Sequence, residues 1–358
     1  MKAILLDGFG GAENMRLRDA DMPRPGDRQI LIKVAATSVN RPDVIQRQGH
    51  YPPPKGESEI LGLEAAGTVE EVGAGVTGWQ GGERVLALLA GGGYAEYAVA
   101  QADHAMPVPG GMDFSRAACV CETYLTAYLN LFLLAGVGGG AAAVAIPGLG
   151  GGDAANTKTD PAARQTVLIH GGSGGIGTAA IQLCRALADA QIIATASAAN
   201  LDRVAALGAD TVSDYRREDF AELVREVTDN RGADVILDHI GGPYLQSNMR
   251  ALAVGGTLML IGVLGGAKAE LNLAQAMVKR QRIIGSVLRS RSRAQKAALI
   301  AKFAATVLPL FAAGDRDGSD AQIAPLIAAE FPLAQAAEAH RAMESGGHFG
   351  KIVLRVQG

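Results

Sequence analysis

Thr166-Val167-Leu168-Ile169-His170 runs straight into Gly171-Gly172-Ser173-Gly174-Gly175-Ile176-Gly177. The first five residues are β-branched and apolar, the pattern of a short buried strand. Gly172 to Gly177 then fits G-x-G-x-x-G, and residues 178–190 carry a helical pattern. A bare match of this kind is weak, because an ordinary turn between strand and helix also collects glycines. Strand before and helix after give it meaning: one glycine makes the tight turn, one admits a pyrophosphate to the backbone, and one lets helix and strand pack closely. The first helical N–H groups then face the anion.

Moving toward the C-terminus, strands and helices alternate. Strands are expected at 191–195, 234–238, 257–261 and 283–288, and such alternation predicts a doubly wound parallel sheet, a Rossmann domain. A site selective for NAD usually places an acid about 20 residues past the glycines, where it repels a 2′-phosphate. Here that region reads Ala194-Thr195-Ala196-Ser197-Ala198. No carboxylate guards it and Ser197 can bond a phosphate oxygen, so NADPH is the expected cofactor.

Toward the N-terminus the character changes. Short strands at 30–35, 67–72, 84–88 and 94–99, punctuated by turns, predict a compact β-barrel. A helix over 114–134 leads into a Gly/Ala-rich run at 136–163, read as a surface loop. The tail predicts helices at 292–312 and 334–343 and a strand at 351–356. The expected organisation is a discontinuous catalytic domain, 1–125 plus 293–358, around a nucleotide-binding domain at 126–292, with the active site in the cleft between them.

With 358 residues, 48% of them apolar and 19% charged, the chain has material for two cores. A net charge of -3 offers no broad positive field, so nucleic acid is not an expected partner. The basic cluster Arg289-Ser290-Arg291-Ser292-Arg293 reads as a solvated face. Cys119, Cys121 and Cys184 form neither a disulfide framework nor a structural zinc lobe; they read as buried thiols in a reducing, cytoplasmic setting. No secretion signal is expected from residues 1–8. The uncharged stretch 123–152 is too broken by glycine to predict a membrane span. His50, His104 and His170 lack ligand-like spacing and read as isolated surface or core residues.

Four further segments carry a family likeness: Val39-Asn40-Arg41-Pro42-Asp43, Gln46-Arg47-Gln48-Gly49-His50-Tyr51-Pro52-Pro53-Pro54, Ile60-Leu61-Gly62-Leu63-Glu64-Ala65-Ala66-Gly67, and Ser286-Val287-Leu288-Arg289-Ser290-Arg291. With the glycine loop, they resemble the zinc-free quinone oxidoreductases of the medium-chain dehydrogenase/reductase superfamily. The likeness implies a GroES-like β-barrel catalytic domain beside the Rossmann domain. Zinc alcohol dehydrogenases of this superfamily carry Cys where this chain has Asn40 and His where it has Leu63, so no metal is expected.

The resemblance also implies residue roles. Asn40 and Tyr51 border the nicotinamide and the acceptor, although Asn40 also suits a turn and Tyr51 a simple pocket wall. Thr126 lies near the nicotinamide ribose, and the backbones of Val263, Leu264 and Ser286 to Leu288 hold the carboxamide. Tyr215 and Arg216 flank the adenosine phosphate with Ser197. Relatives carry lysines where this chain has Ala199 and Asn200, which weakens the expected NADPH preference. The subunits are expected to pair as a homodimer near 271–288.

A quinone accepts hydride without a Lewis acid, because the product is an aromatic hydroquinone anion. Quinone reduction is therefore the expected reaction. Reduction of an activated C=C bond, in an enone or enoyl thioester, is the alternative. A non-catalytic NADPH-binding sensor, binding RNA or a partner protein, is the alternative of another class.

Overall fold

A computed structural model describes residues 1–139, 164–311 and 322–356. The chain divides into two compact units, Met1–Leu125 with Ser292–Gly358, and Thr126–Arg291.

In the first unit β1 (Lys2–Leu6) and β2 (Met15–Asp19) pair antiparallel. The larger sheet is organised by β3 (Gln29–Val39), eleven residues long. One edge of β3 takes β4 (Glu64–Val72), which continues to β5 (Arg84–Leu88) and β7 (Ala105–Pro107). Its other edge is shared: β6 (Tyr97–Gln101) pairs residues 29–33, and β15 (Lys351–Arg355) pairs residues 36–39. The C-terminal segment thus completes a sheet begun near the N-terminus. Its inner face packs Ile30, Ile32, Val34, Ala65, Val69 and Val85 into one core, each alternate residue turned inward by the period of two.

The second unit holds six parallel strands: β8 (Gln165–Ile169), β9 (Ala190–Ala196), β10 (Thr211–Asp214), β11 (Ala233–Asp238), β12 (Leu252–Leu260) and β13 (Arg282–Gly285). Their order is β10-β9-β8-β11-β12-β13, the doubly wound arrangement, which reverses between β8 and β11. The central strands β8, β9 and β11 read as near-continuous apolar runs because both faces are covered.

Several boundaries depart from the sequence expectation. The single helix expected over 114–134 is interrupted: Phe114–Ala117, then Cys121–Tyr128, then a π-helical turn, Leu129–Leu134. The strand expected at 283–288 stops at Gly285, so Ser286 to Leu288 lie beyond its carboxyl end. The helix expected over 292–312 ends at Thr306, its N-terminus fixed by a capping box between Ser292 and Gln295. The Gly/Ala-rich run lies outside the described residues from 140 onward. Arg41–Arg47 forms a helix where the sequence suggested a turn, because Pro42 occupies a first-turn position whose N–H needs no partner. The strand β14 (Ile327–Pro332), parallel to β15, has its proline at the end of an edge strand, where a missing donor costs nothing.

Candidate active site

In the second unit the glycine loop leaves β8 at the point where the strand order reverses. Gly171 takes a φ of +61°. The Gly172 N–H donates to the Thr195 carbonyl at 2.8 Å and that of Gly174 to the Gly171 carbonyl at 2.9 Å. A Cβ at Gly177 would lie 2.1 Å from the Gly171 oxygen, so only glycine fits there. Helix Gly175–Leu187 starts from this loop, and Ser173 and Ile176 are half-buried. The bare backbone and the helix N-terminus form a cradle suited to a pyrophosphate.

Apart from Thr126, the other residues singled out in this unit lie past the carboxyl ends of the strands. Ser197 follows β9 and Tyr215-Arg216 follow β10, strands in register with Ala196 opposite Asp214. Tyr215 and Arg216 are exposed and Asn200 is buried. The Arg216 guanidinium lies 5.6 Å from the Tyr215 ring centroid, within cation–π range. Val263 and Leu264, past β12, are 47% and 48% exposed. Ser286, past β13, donates its N–H to the Leu260 carbonyl at 3.0 Å, and Leu288 is buried. Thr126 is buried in helix Cys121–Tyr128, its carbonyl accepting from Asn130 Nδ2 at 2.8 Å. Arg289 corrects an expectation: it is buried rather than part of a solvated face.

Beneath the loop runs a polar chain that the sequence reading missed. His170 Nδ1 meets Thr195 Oγ1 at 3.2 Å and its Nε2 meets Asn248 Oδ1 at 2.7 Å. Asn248 Nδ2 donates to Asp238 Oδ2 at 3.0 Å, and Asp238 Oδ1 accepts from the Ile240 N–H at 2.6 Å. Burial pushes the His170 imidazole down to about 3 and the Asp238 carboxyl up to about 6. The chain ties the end of β11 to the end of β8, the two strands at the reversal.

In the first unit Asn40 is the residue before helix Arg41–Arg47 and is buried. Its backbone N–H donates to Asp43 Oδ2 at 2.8 Å, while Asp43 Oδ1 accepts from the Gly62 N–H at 3.1 Å. Asp43 therefore joins two of the segments that carry the family likeness; burial raises its carboxyl to about 6. The Asn40 side chain turns inward. Nδ2 donates to Glu64 Oε1 at 2.9 Å and Oδ1 accepts from Lys351 Nζ. Lys351 also donates to Glu64 Oε1 at 3.1 Å and to the Val39 carbonyl at 3.2 Å. Tyr51 is half-buried in the irregular segment after the helix.

The Glu64–Lys351 pair leaves a trace in the sequence: each charge opens a strand directly ahead of apolar residues, Ala65-Ala66 and Ile352-Val353-Leu354, and a buried charge needs a partner. Leu63 is 1% exposed in the apolar core. Cys119, Cys121 and Cys184 are buried, and burial pushes their thiols up, so they are poor nucleophiles. Among the described residues no group of three or more His, Cys, Asp or Glu is placed to hold a metal, and no helix is long and apolar enough to cross a membrane.

A glycine cradle at the reversal point of a parallel sheet, on one chain with a GroES-like unit, is the architecture of a nicotinamide-dependent oxidoreductase. The comparisons agree. A zinc-binding dehydrogenase family model matches residues 175–304 and an alcohol dehydrogenase GroES-like domain model matches 26–110. A quinone oxidoreductase of Lama guanicoe is 32% identical, covering 99% of this chain and 97% of its own. A mycobacterial structure complexed with NADPH is 28% identical with a TM-score of 0.81, over 99% of this chain and 100% of that one. An NAD-dependent alcohol dehydrogenase structure is 28% identical with a TM-score of 0.80, over the whole of both chains. The chain belongs to the medium-chain dehydrogenase/reductase superfamily and is an NAD(P)-dependent oxidoreductase.

Proposed function

We propose that this enzyme transfers hydride from NADPH to a quinone without a metal. The observation that carries the reading is the state of the two positions where zinc relatives hold ligands: Leu63 is packed in the core, and both polar atoms of Asn40 are engaged by Glu64 and Lys351. That corner is furnished for hydrogen bonding, which suits an acceptor needing no Lewis acid. The full-length likeness to a quinone oxidoreductase supports the acceptor class, and the NADPH complex of a relative supports the cofactor.

When bound, the nicotinamide supplies the hydride. Gly172 to Gly177 receive the pyrophosphate. Ser197, Asn200, Tyr215 and Arg216 face the adenosine phosphate, Arg216 supplying the charge that lysines supply in relatives. Thr126 takes the nicotinamide ribose, and the backbones at Val263-Leu264 and Ser286 to Leu288 take the carboxamide. Asn40 meets the acceptor, and Tyr51 either hydrogen-bonds its carbonyl or shapes the wall beside it. Residues 1–125 with 293–358 act as the catalytic domain and 126–292 as the nucleotide domain.

The same reading makes the protein a homodimer. Leu273, Met277 and Val278 are 72%, 74% and 71% exposed on one short helix, beside the edge strand β13, where Ile283 is 41% exposed. An apolar patch of this kind next to an open strand marks an interface. The functional reading is tested by steady-state kinetics with NADPH on a panel of quinones, enones and enoyl thioesters. Quinones should give the highest kcat/KM. A wide margin in favour of an enone or a thioester would replace this function with C=C reduction.

A further inference from the structure

The corner formed by Ser38, Asn40, Glu64 and Lys351 is buried, with Asn40 its most exposed member: their exposures are 0%, 5%, 1% and 4%. Its hydrogen bonds can be followed atom by atom. The ammonium of Lys351 has three protons and three acceptors, the Val39 carbonyl, Asn40 Oδ1 and Glu64 Oε1. Ser38 Oγ donates to Glu64 Oε1 at 2.5 Å. The second carboxylate oxygen, Oε2, accepts from the Glu122 N–H at 2.9 Å. Asn40 Nδ2 gives one proton to Glu64 Oε1 at 2.9 Å. Among the described residues its other proton has only the Ser38 carbonyl and Oγ, both at 3.5 Å, the outer limit for such a bond. Among the donors of this cluster it is the one left without a good acceptor.

Stability does not account for the arrangement, since a buried ion pair is often replaceable by apolar residues at no cost. What it does fix is the Asn40 amide. A cation on Oδ1 and an anion on Nδ2 exclude the flipped orientation. The cation also draws electron density from the amide, which makes the remaining N–H a stronger donor.

We propose that Lys351 is a positioning residue of the reaction, acting through Asn40: it locks and polarises the amide so that the unspent Nδ2 proton donates to the oxygen that gains negative charge when the acceptor takes hydride. The proposal rests on the placement of Asn40 at the acceptor. No bond other than that of the hydride transfer is made or broken, and the oxyanion is later protonated from solvent.

A double-mutant cycle tests it, with kcat, acceptor KM and NADPH Kd measured for Asn40→Ala, Lys351→Met and the combination. Each single change should lower kcat about tenfold, leaving NADPH Kd and acceptor KM within about twofold. The combination should be no slower than either alone. Where Lys351→Met does not fold, the charge-free pair Lys351→Met with Glu64→Leu keeps the corner filled and takes its place in the cycle. Folded variants with unchanged kcat, or losses that multiply, would overturn the proposal. The cycle is run on whichever acceptor of the panel turns over fastest, so a failed quinone assignment is read from the panel and a failed Lys351 role from the cycle.

Discussion

Arg216 is the side chain proposed to take the place of the lysines that relatives carry. It sits past β10 with its guanidinium over the Tyr215 ring, one strand away from Ser197, whose neighbours Ala199 and Asn200 carry no charge. An exposed guanidinium already stacked on a ring loses little freedom when it meets a phosphate. Arg216→Ala should therefore lower kcat/KM with NADPH about tenfold, the value of one charge-assisted hydrogen bond, and leave kcat/KM with NADH unchanged. Equal losses with both cofactors would place Arg216 away from the 2′-phosphate. The roles proposed for Tyr215 and Arg216 rest on the family likeness and not on a strand pattern, since β10 has only four residues, too few to stand out in the sequence. Asn40 was legible as important and not in its environment. Its partners Glu64 and Lys351 lie 24 and 311 residues away, and no local pattern records such pairings.

At the scale of elements, strands were easier to read than helices. A central parallel strand is apolar on both faces, so β8, β9 and β11 stand out from any window. Short helices such as Arg41–Arg47 and Leu273–Val278 have too few turns to show a period. The second of these has no buried residue, although three of its six residues are large and apolar. Gln275 and Ala276 anchor it to its own unit, and in the proposed dimer the partner subunit covers Leu273, Met277 and Val278. Replacing Met277 and Val278 by glutamate should convert a dimer to a monomer in light scattering while the far-UV circular dichroism stays the same, because charges at the centre of an interface are desolvated without a partner. A parent protein that is itself monomeric would rule out the homodimer.

Across the whole molecule, buried ionisable groups set how stability responds to pH. His170 and His340 are both held near 3 by burial, against 6.5 for an ordinary imidazole. Each contributes stability that is complete above pH 6.5 and is lost as the pH falls toward 3. Asp43 and Asp238, both raised to about 6 from 3.8, act in the opposite sense, losing their contribution as the pH rises through 6. Removing one histidine unbalances the set. In urea denaturation, His170→Gln should gain on the parent by up to about 1 kcal/mol for each unit the pH falls between roughly 6.5 and 4, whatever constant offset the lost hydrogen bonds impose. A constant difference across that range would mean that His170 takes up its proton in the folded state at an ordinary pH.

The proposed reaction is hydride transfer from NADPH to a quinone with no metal in the site. Its most direct measurement is the rate of NADPH oxidation by a quinone, followed by stopped flow on protein stripped with a chelator and checked for zinc by elemental analysis, with NADH run beside it. Full activity at no stoichiometric zinc and a modest preference for NADPH are the expected results. Activity that returns only when one zinc per subunit is restored, or no quinone-dependent oxidation of NADPH at all, would contradict it.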